Sequence, residues 1–281
     1  MIIIRQPFII NINSKGFLFM AKKVVLIIMI LLLCVGIGFF VYPTISDFVG
    51  QKQSESEIKE FDTKIENVID KGSYEEDLKD GKINKDGYPI DENGKTTSDY
   101  PVYYKVDLDR LYKDSQAYNK KLVNSQRTLL DKYSYTVPSI DLSKYGIFDG
   151  VYGHISSSSI EMDLPIYLGA NDGTMASGAA HMTYTSLPIG GKNTNCVLAA
   201  HTGYTGRTFF DNIFNLKKGD TVKITNFWGT LNYKVIETEV HVPSDSYRVY
   251  IEDGKDLLTL LTCISDGNGG FNRYYVICER V

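Results

Sequence analysis

The sequence predicts a mostly β protein with short helices, preceded by an N-terminal membrane-spanning helix and a helical segment. From about Gly146 onward, short apolar runs alternate with Gly, Asn and Asp turns, which is typical of a closed or sandwiched β-structure. Before that point, one long uncharged stretch and two stretches with helical spacing indicate helices. The chain has 281 residues, enough for one or two domains with a real core.

The membrane-spanning helix is predicted from the uncharged run Val24–Tyr42. At about 1.5 Å per residue the run would extend about 28 Å, close to the thickness of the hydrocarbon layer of a bilayer. Lys22 and Lys23 stand directly before the run, Arg5 and Lys15 lie further upstream, and no acidic residue precedes it. The positive-inside rule therefore places residues 1–23 in the cytoplasm and the rest of the chain outside. A cleaved signal peptide is the alternative, but the run is long for one and no convincing small-x-small site follows it. Either Met20 is the true initiator or the first residues form a short cytoplasmic tail.

Residues 43–145 are predicted to form an extracytoplasmic helical and linker region. Ser54–Lys71 and Asp107–Tyr133 carry apolar side chains three and four residues apart, as amphipathic helices do. Gly72–Tyr100 is polar and contains Asp-Gly and Asn-Gly turn signals, which favours a mobile linker or an irregular insertion. The β-rich domain is predicted to occupy residues 146–281.

Composition argues against several classes of protein. A formal net charge of −4 disfavours nucleic acid as a partner, because phosphate binding favours a basic face. The sequence contains no C-x-x-C zinc pair, P-loop or G-x-G-x-x-G motif, and no acidic cluster with EF-hand spacing. We therefore expect no metal, no other cofactor and no nucleic acid.

The cysteines are Cys34, Cys196, Cys263 and Cys278, too few for a disulfide scaffold in a chain of this length. Cys34 lies in the apolar run Val24–Tyr42, so three cysteines remain after it. Because three is an odd number, at least one of them cannot be part of a disulfide within that set. Cys196 and Cys278 lie in apolar strand-like runs and are predicted to be buried. A disulfide between these two stays open at this point.

Cys263 ends the apolar run Leu257–Leu261 and precedes the Gly-rich loop Ser265–Gly270. A side chain at a strand end beside a loop is held rigidly yet is accessible, as a nucleophile needs to be. The alternative is a buried structural cysteine, since cysteine is among the most buried residue types.

A thiolate nucleophile needs an acid/base partner and a group that stabilises the oxyanion. His201 ends the apolar run Cys196–Ala200 and precedes a Gly-rich turn, so it has the same kind of position as Cys263. Arg273 opens the last predicted strand, across the Gly-rich loop from Cys263, where a permanent guanidinium could hold an oxyanion or substrate. A satisfied structural histidine and a solvated edge arginine are the alternatives.

The run Thr259–Cys263 reads TLLTC and resembles the TLxTC signature of the sortases, with His201 upstream and Arg273 downstream in that family's order and spacing. The resemblance covers about Gly150 to Val281 and implies a closed eight-stranded β-barrel. Segments such as GVYGHI, LPIYLGA and TSLPIGGKNTNCVLAAHTG look most like the class C sortases, which polymerise pilins.

The resemblance implies a cysteine transpeptidase that cleaves an LPxTG-type sorting signal between Thr and Gly. Cys263 would attack the Thr carbonyl and form a thioacyl enzyme, His201 would transfer protons, and Arg273 would hold substrate and stabilise the oxyanion. The implied partners are LPxTG surface proteins or pilins, with a pilin lysine or a peptidoglycan cross-bridge amine as acceptor. The implied location is the cell membrane, with the catalytic domain outside.

Other residues are given secondary parts by the same resemblance. His181, Ser186 and Thr262 are expected to line the substrate site, whereas His154 and His241 are expected to be structural or surface residues.

A class C lid would fall at Tyr133–Gly150, but the Asp-Pro-aromatic triplet usual in such lids is missing from the sequence. Tyr135, or Ile140 with Asp141, is the candidate substitute. Many class C members also carry a second, C-terminal membrane helix, whereas this sequence reaches Val281 directly after a predicted strand.

Four alternative functions differ from this prediction. An L,D-transpeptidase usually shows a Ser-His-Gly-x-Cys run, which is missing from the sequence, and a papain-like hydrolase places its Cys before its His. A housekeeping sortase that attaches surface proteins to peptidoglycan is the main alternative to pilus assembly. An anchored, non-enzymatic β-rich adhesin would explain the strands and the anchor but not the placement of TLLTC and Arg273.

Overall fold

A computed structural model of the chain describes residues 14–66, 71–99, 101–102, 106–126, 134–245 and 247–281. Eight strands close into a barrel in the order β1-β2-β3-β4-β7-β8-β6-β5. The strands are β1 (Val151–Ser157), β2 (Met162–Leu168), β3 (Ala179–His181), β4 (Thr194–Ala199), β5 (Thr221–Asn226), β6 (Gly229–His241), β7 (Asp256–Ser265) and β8 (Phe271–Arg280). The predicted mostly β fold with a closed eight-stranded barrel is confirmed.

Strand patterning follows from what covers each face of the barrel. β5 alternates, with Val222 and Ile224 in the barrel core and Lys223 exposed between them. β4 is buried along its whole length because a second apolar cluster, which includes Val197 and Leu257, covers its outer face. Strands covered on both faces read as continuous apolar runs, which is how β4 and β7 appear in the sequence.

The order of the strands brings three strand ends together. β4 runs parallel to β7, with Ala199 opposite Leu261, and β7 runs antiparallel to β8. The end of β4, the end of β7 and the start of β8 therefore lie side by side at one end of the barrel. β3 pairs with β2 and β4 but has only three residues, too few to produce a readable pattern in the sequence.

One helix, α1 (Ser14–Glu66), joins the predicted membrane helix to the helical stretch after it. It is the one helix, among the residues described, that is long and apolar enough to cross a membrane, and the run Val24–Tyr42 is exposed along its length. Pro43 lies inside α1. A proline within a helix removes a backbone hydrogen bond and costs about 3 kcal/mol, so the boundary that we expected near Pro43 is a place where α1 can bend but does not end.

Beyond the apolar run, α1 packs on the barrel through a stripe with helical spacing. Gly50, Ser54, Ile58 and Phe61 are buried, and Phe61 belongs to a cluster with residues of β1 and β2. The predicted member Ile65 is half-buried against the same cluster, whereas Ile69 lies outside the described residues. Docking on the barrel therefore begins within two turns of the end of the apolar run.

The polar region after α1 contains a short helix, α2 (Lys71–Lys79), followed by tight turns with isolated bridges. It is an irregular insertion with a helical start that we did not predict. α3 (Leu108–Ser125) confirms a helix in the next stretch, and its N-cap Asp107 accepts a hydrogen bond from the Arg110 amide. Leu111 and Leu122 are buried as expected. A fourth helix, α4 (Asp172–Met175), lies between β2 and β3.

His154 on β1 fastens α1 to the barrel by charge. Its Nδ1 lies 2.8 Å from Asp163 Oδ1, and its Nε2 lies 3.4 Å from Asp62 Oδ1 on α1. Burial alone would lower the pKa of His154, but the Asp163 hydrogen bond and the charges of Asp163 and Asp62 outweigh it and raise the pKa above 6.5. The pKa of Asp62 is also raised, because its burial outweighs the attraction of His154. Asp163, at the shorter distance, is therefore the main partner.

This cluster predicts a pH-dependent stability. A raised histidine pKa stabilises the fold fully below the unfolded value, and this contribution is lost as pH rises through the folded value. We expect His154→Gln to lower the Tm of the detergent-solubilised chain clearly at about pH 6 and much less at about pH 8.5. Thermal unfolding followed by circular dichroism measures this, with Asp163→Asn as the variant that should reduce the same pH dependence. An equal loss at both pH values would assign the effect to packing instead.

Candidate active site

Cys263 and Arg273 face each other across the β7–β8 pair, in direct register. The Arg273 Nη1 atom donates a hydrogen bond to Cys263 Sγ at 3.0 Å. Cys263 is half-buried, and its neighbour Thr262 is buried, so alternation along β7 directs Cys263 away from the barrel interior. The thiol therefore lies on the outer face at the end of the strand, with a guanidinium donor at its sulfur.

His201 follows β4 on the opposite side of Cys263 from Arg273. The parallel pairing of β4 with β7 continues past the strand, because the Ala200 amide donates to the Leu261 carbonyl at 3.2 Å. The two strand ends are tied twice more: Thr262 Oγ1 donates to Ala200 O at 2.7 Å, and Thr202 Oγ1 donates to Cys263 O at 2.9 Å. His201 thus lies just past the end of β4, Cys263 on β7 and Arg273 on β8, three adjacent strands with a spacing of about 4.8 Å.

The His201 ring is stacked on Tyr204, with centroids 5.2 Å apart and planes within 10° of each other. Phe209 approaches the same ring at 6.4 Å. Both His201 and Cys263 lie in described parts of the chain, and no hydrogen bond joins them there. The imidazole can therefore exchange a proton with the thiol through a substrate group bound between them, or after its ring rotates.

The predicted substrate-lining residues are placed differently. His181 and Ser186 have no exposed surface, and the His181 Nε2 atom donates to the carbonyls of Thr185 and Ser186 at 3.2 and 3.0 Å. Burial lowers the pKa of His181 to about 4, so the ring is neutral near pH 7. Ser186 Oγ accepts from the Asn195 amide. These contacts give His181 and Ser186 a place in the protein interior, and Thr262 ties β7 to the end of β4 from within the barrel.

All four cysteines are free thiols, which answers the open question of a Cys196–Cys278 disulfide. Cys196 lies opposite Leu258, and Leu258 lies opposite Cys278, so one whole strand separates the two thiols. Two strand spacings come to about 9.6 Å, beyond the reach of a disulfide. Burial raises the pKa of both thiols, which makes them inert compared with the half-buried Cys263.

The candidate lid packs elsewhere, as far as the described residues 134–150 show; Tyr133 lies outside them. Tyr135 O accepts hydrogen bonds from the amides of Ala170 and Thr183, and Val137 O accepts one from Thr183 Oγ1. Thr183 follows β3, whose last residue His181 pairs with Leu198, and the chain there runs back along β4 past Val197, away from Ala200. Asp141 caps a 3₁₀ turn at Leu142–Tyr145 that packs near α3. These contacts give no support to Tyr135, Ile140 or Asp141 as a cover over Cys263.

Two site features escaped the sequence reading. The Tyr204 ring on His201 and the Thr202 bond to Cys263 both come from the turn after His201, where no apolar period exists to suggest a contact.

His241 is held by Glu239 and Asp245 at 2.6 and 3.0 Å, as a surface histidine would be. Within the ranges of the chain described above, no group of three or more His, Cys, Asp or Glu side chains could hold a metal ion.

Comparisons with known proteins agree with this geometry. Residues 155–281 match the model of the Sortase domain family. Sortase A of Bacillus anthracis is 33% identical over 131 residues, which cover 47% of this chain and 60% of that protein. Sortase A of Listeria monocytogenes is 32% identical over 117 residues, which cover 41% and 50%. The chain thus spans less than two thirds of the length of these curated relatives.

Solved structures resemble the chain over a larger share of their length. Sortase C2 of Group B Streptococcus Pilus Island 1 is 34% identical with a TM-score of 0.55, over 62% of this chain and 97% of that one. Sortase C-1 of Streptococcus pneumoniae is 30% identical with a TM-score of 0.55, over 62% and 90%. With the TLLTC run at the end of β7, the closed barrel and these likenesses, the chain belongs to the sortase family.

Proposed function

We propose that this chain is a membrane-anchored cysteine transpeptidase that cleaves an LPxTG-like sorting signal and transfers the acyl group to an amine. The observation that carries the proposal is the position of Cys263 between His201 and Arg273 on three adjacent strand ends. A nucleophile, an acid/base group and a permanent cation at one solvent-facing point are what acyl transfer through a thioester requires.

The proposed steps follow from the atoms. The Cys263 thiol gives its proton to His201, and Sγ attacks the carbonyl carbon of the sorting-signal Thr and forms a C–S bond, while Arg273 donates to the resulting oxyanion. The C–N bond to Gly then breaks, and the leaving amine takes a proton from His201. An acceptor amine attacks the thioester carbon, His201 takes its proton, and the C–S bond breaks to release Cys263. No oxidant, metal or cofactor enters this balance.

The proposed acceptor is a lysine amine of a pilin subunit. Supporting this choice are the likenesses to streptococcal sortase C structures, one of them from a pilus island. The alternative acceptor is a peptidoglycan cross-bridge amine, as in housekeeping anchoring of surface proteins. The likeness to curated proteins named Sortase A favours that alternative.

The proposed location is the cell membrane, with the barrel outside. In support, the apolar run of α1 is exposed along its length, and the residues of α1 that dock on the barrel, among those whose burial is described, lie after it. Val24–Tyr42 would then form the anchor, and residues 1–23 would lie in the cytoplasm.

Transfer by the full chain in detergent tests the proposal. A quenched LPxTG-type peptide is incubated with either a lysine-containing pilin peptide or a cross-bridge amine, and products are identified by mass spectrometry. We expect cleavage, a thioacyl adduct on the peptide that contains Cys263, and a covalent product with the lysine peptide. A product with the cross-bridge amine alone would favour the housekeeping alternative. No adduct and no cleavage of any such peptide would contradict both.

A further inference from the structure

The loop that follows His201 lies directly against α1. The Gly206 amide donates to Asp47 Oδ1 on α1 at 2.7 Å. At Gly50, one turn further along α1, an added Cβ would lie 1.8 Å from Gly206 O and 2.3 Å from Arg207 Cγ. No real Cβ tolerates such distances, so α1 and the loop touch backbone to backbone, and they can do so only because residue 50 is glycine.

Arg207 strengthens this contact from inside. Its side chain is 7% exposed, its Nη1 atom donates to Ser177 O, and the same atom lies 3.5 Å from Glu57 Oε2 on α1. A guanidinium this deeply buried needs an anionic partner, and α1 supplies that anion through Glu57. Glu57 also reaches Tyr167 on β2: burial, followed by the Glu57 charge and hydrogen bond, raises the pKa of that phenol. Arg207 therefore joins the loop to α1 and to the segment before β3.

The same loop holds the His201 ring. Tyr204, the stacking partner of His201, stands two residues before Gly206 and is itself packed on Phe209, with centroids 5.6 Å apart. The Gly203 amide donates to Asp211 Oδ1 at 2.6 Å, which closes the loop on its other side. The loop is thus a short, closed turn with the imidazole at one end and α1 at the other.

We propose that α1, in the turns directly after its apolar run, positions the loop that carries the acid/base histidine, with Arg207 as a positioning residue that acts through His201. The proposal rests on the proposed function in so far as it gives His201 that role. It makes the anchor helix a part of the active-site scaffold as well as a tether. Cys263 and Arg273 are held by β7 and β8, and the loop meets Cys263 at its backbone carbonyl, through Thr202 Oγ1, and not at its thiol.

The residues of α1 that stabilise the barrel differ from those that contact the loop after His201. Ile58 and Phe61 bury apolar side chains of α1 against the barrel, whereas Asp47 and Gly50 contact the loop at Gly206 and Arg207. A change at Gly50 can therefore displace the loop and leave the apolar contacts of α1 in place. Alanine is a better helix former than glycine, so the substitution does not weaken α1 itself.

The test compares Gly50→Ala with Gly38→Ala, a glycine of the same helix that has no heavy atom within 4 Å of an added Cβ. Full chains are reconstituted in lipid nanodiscs. For Gly50→Ala we expect kcat of amine transfer to fall about 10- to 100-fold with KM little changed. Amide hydrogen exchange in residues 202–208 should be faster in Gly50→Ala. Gly38→Ala should match the wild type in every measurement.

A thiol-reactivity measurement separates positioning from folding. The rate at which a methanethiosulfonate reagent modifies Cys263, read by mass spectrometry, should be the same in wild type and Gly50→Ala. Glu57→Gln should reproduce the kcat and exchange effects, whereas Glu55→Gln, at an exposed pair with Lys52, should not.

Several outcomes would overturn the proposal. Unchanged kcat and unchanged loop exchange in Gly50→Ala would do so, as would faster exchange throughout β7 and β8, which would make the contact a general stabiliser. Because Gly50→Ala could disturb packing broadly, Asp47→Asn serves as the milder variant and should still speed exchange of the Gly206 amide. A wild-type chain that transfers no peptide would defeat the proposed function alone, since loop exchange would still report on the contact.

Discussion

Replacing Cys263 by alanine should abolish peptide cleavage and formation of the thioacyl adduct. Loss of the nucleophile from a coupled catalytic set costs at least about 10⁴-fold in rate, so residual turnover should fall to the background of the assay. The structure supports a specific effect, because Cys263 is half-buried at a strand end and its Sγ accepts a hydrogen bond from Arg273. The fold should persist, since Cys263 belongs to none of the buried apolar clusters.

The matched control is Cys278→Ala, a free thiol on the neighbouring strand that is packed in the barrel core. This variant should keep transfer activity and lose stability, because it removes a buried group from a packed interior. Activity is measured with the quenched peptide, and stability is measured by thermal unfolding. Full activity in Cys263→Ala, or loss of activity in Cys278→Ala with its fold intact, would show that the nucleophile is wrongly assigned.

The fold was largely predictable because barrel strands leave local marks. β4 and β7 appear as apolar runs in the sequence because both of their faces are covered. His201 and Cys263, at the ends of these strands, lie close together because β4 and β7 pair in parallel. The pairing of Arg273 with Cys263 follows from one hairpin, and a hairpin brings residues together that are close in sequence. Such short-range geometry can be inferred from spacing alone.

What could not be predicted depends on contacts between distant segments. Gly50 and Gly206 are far apart in sequence, and the spacing of apolar residues in α1 says nothing about a glycine pressed against a loop. The resemblance implies that His181 lines the substrate site, but residue types do not distinguish a pocket from a core, and only the packing shows that the ring is buried. β3 has three residues, which is too short for any period.

The candidate lid illustrates the same limit. Tyr133–Gly150 was proposed as a cover from its place in the chain, yet a cover is defined by what it lies against. The hydrogen bonds of Tyr135 and Val137 go to Ala170 and Thr183, on the β2 and β3 side of the barrel. A better candidate for control of the site is the loop after His201, because Tyr204 already occupies one face of the imidazole. Substrate binding beside His201 would have to accommodate or displace that ring.

Arg273→Lys should lower kcat by two or more orders of magnitude although it preserves the positive charge. Lysine has a single ammonium with no planar fork, so it cannot hold both a sulfur and a developing oxyanion in fixed directions, and these contacts matter most in the transition state. Arg273 Nη1 already lies 3.0 Å from Cys263 Sγ, so the guanidinium is placed before substrate binds. Arg280→Lys, at the far end of the same strand over the Tyr233 ring, is the matched control and should stay near wild-type activity.

Arg273→Ala and His201→Ala should each lower kcat further than Arg273→Lys does. The fall in kcat of the double variant should be smaller than the product of the two single falls, because both residues stabilise one transition state. Rate losses that multiply, or an Arg273→Lys variant as active as Arg280→Lys, would remove Arg273 from the catalytic set and leave it as a structural partner of the β7–β8 hairpin.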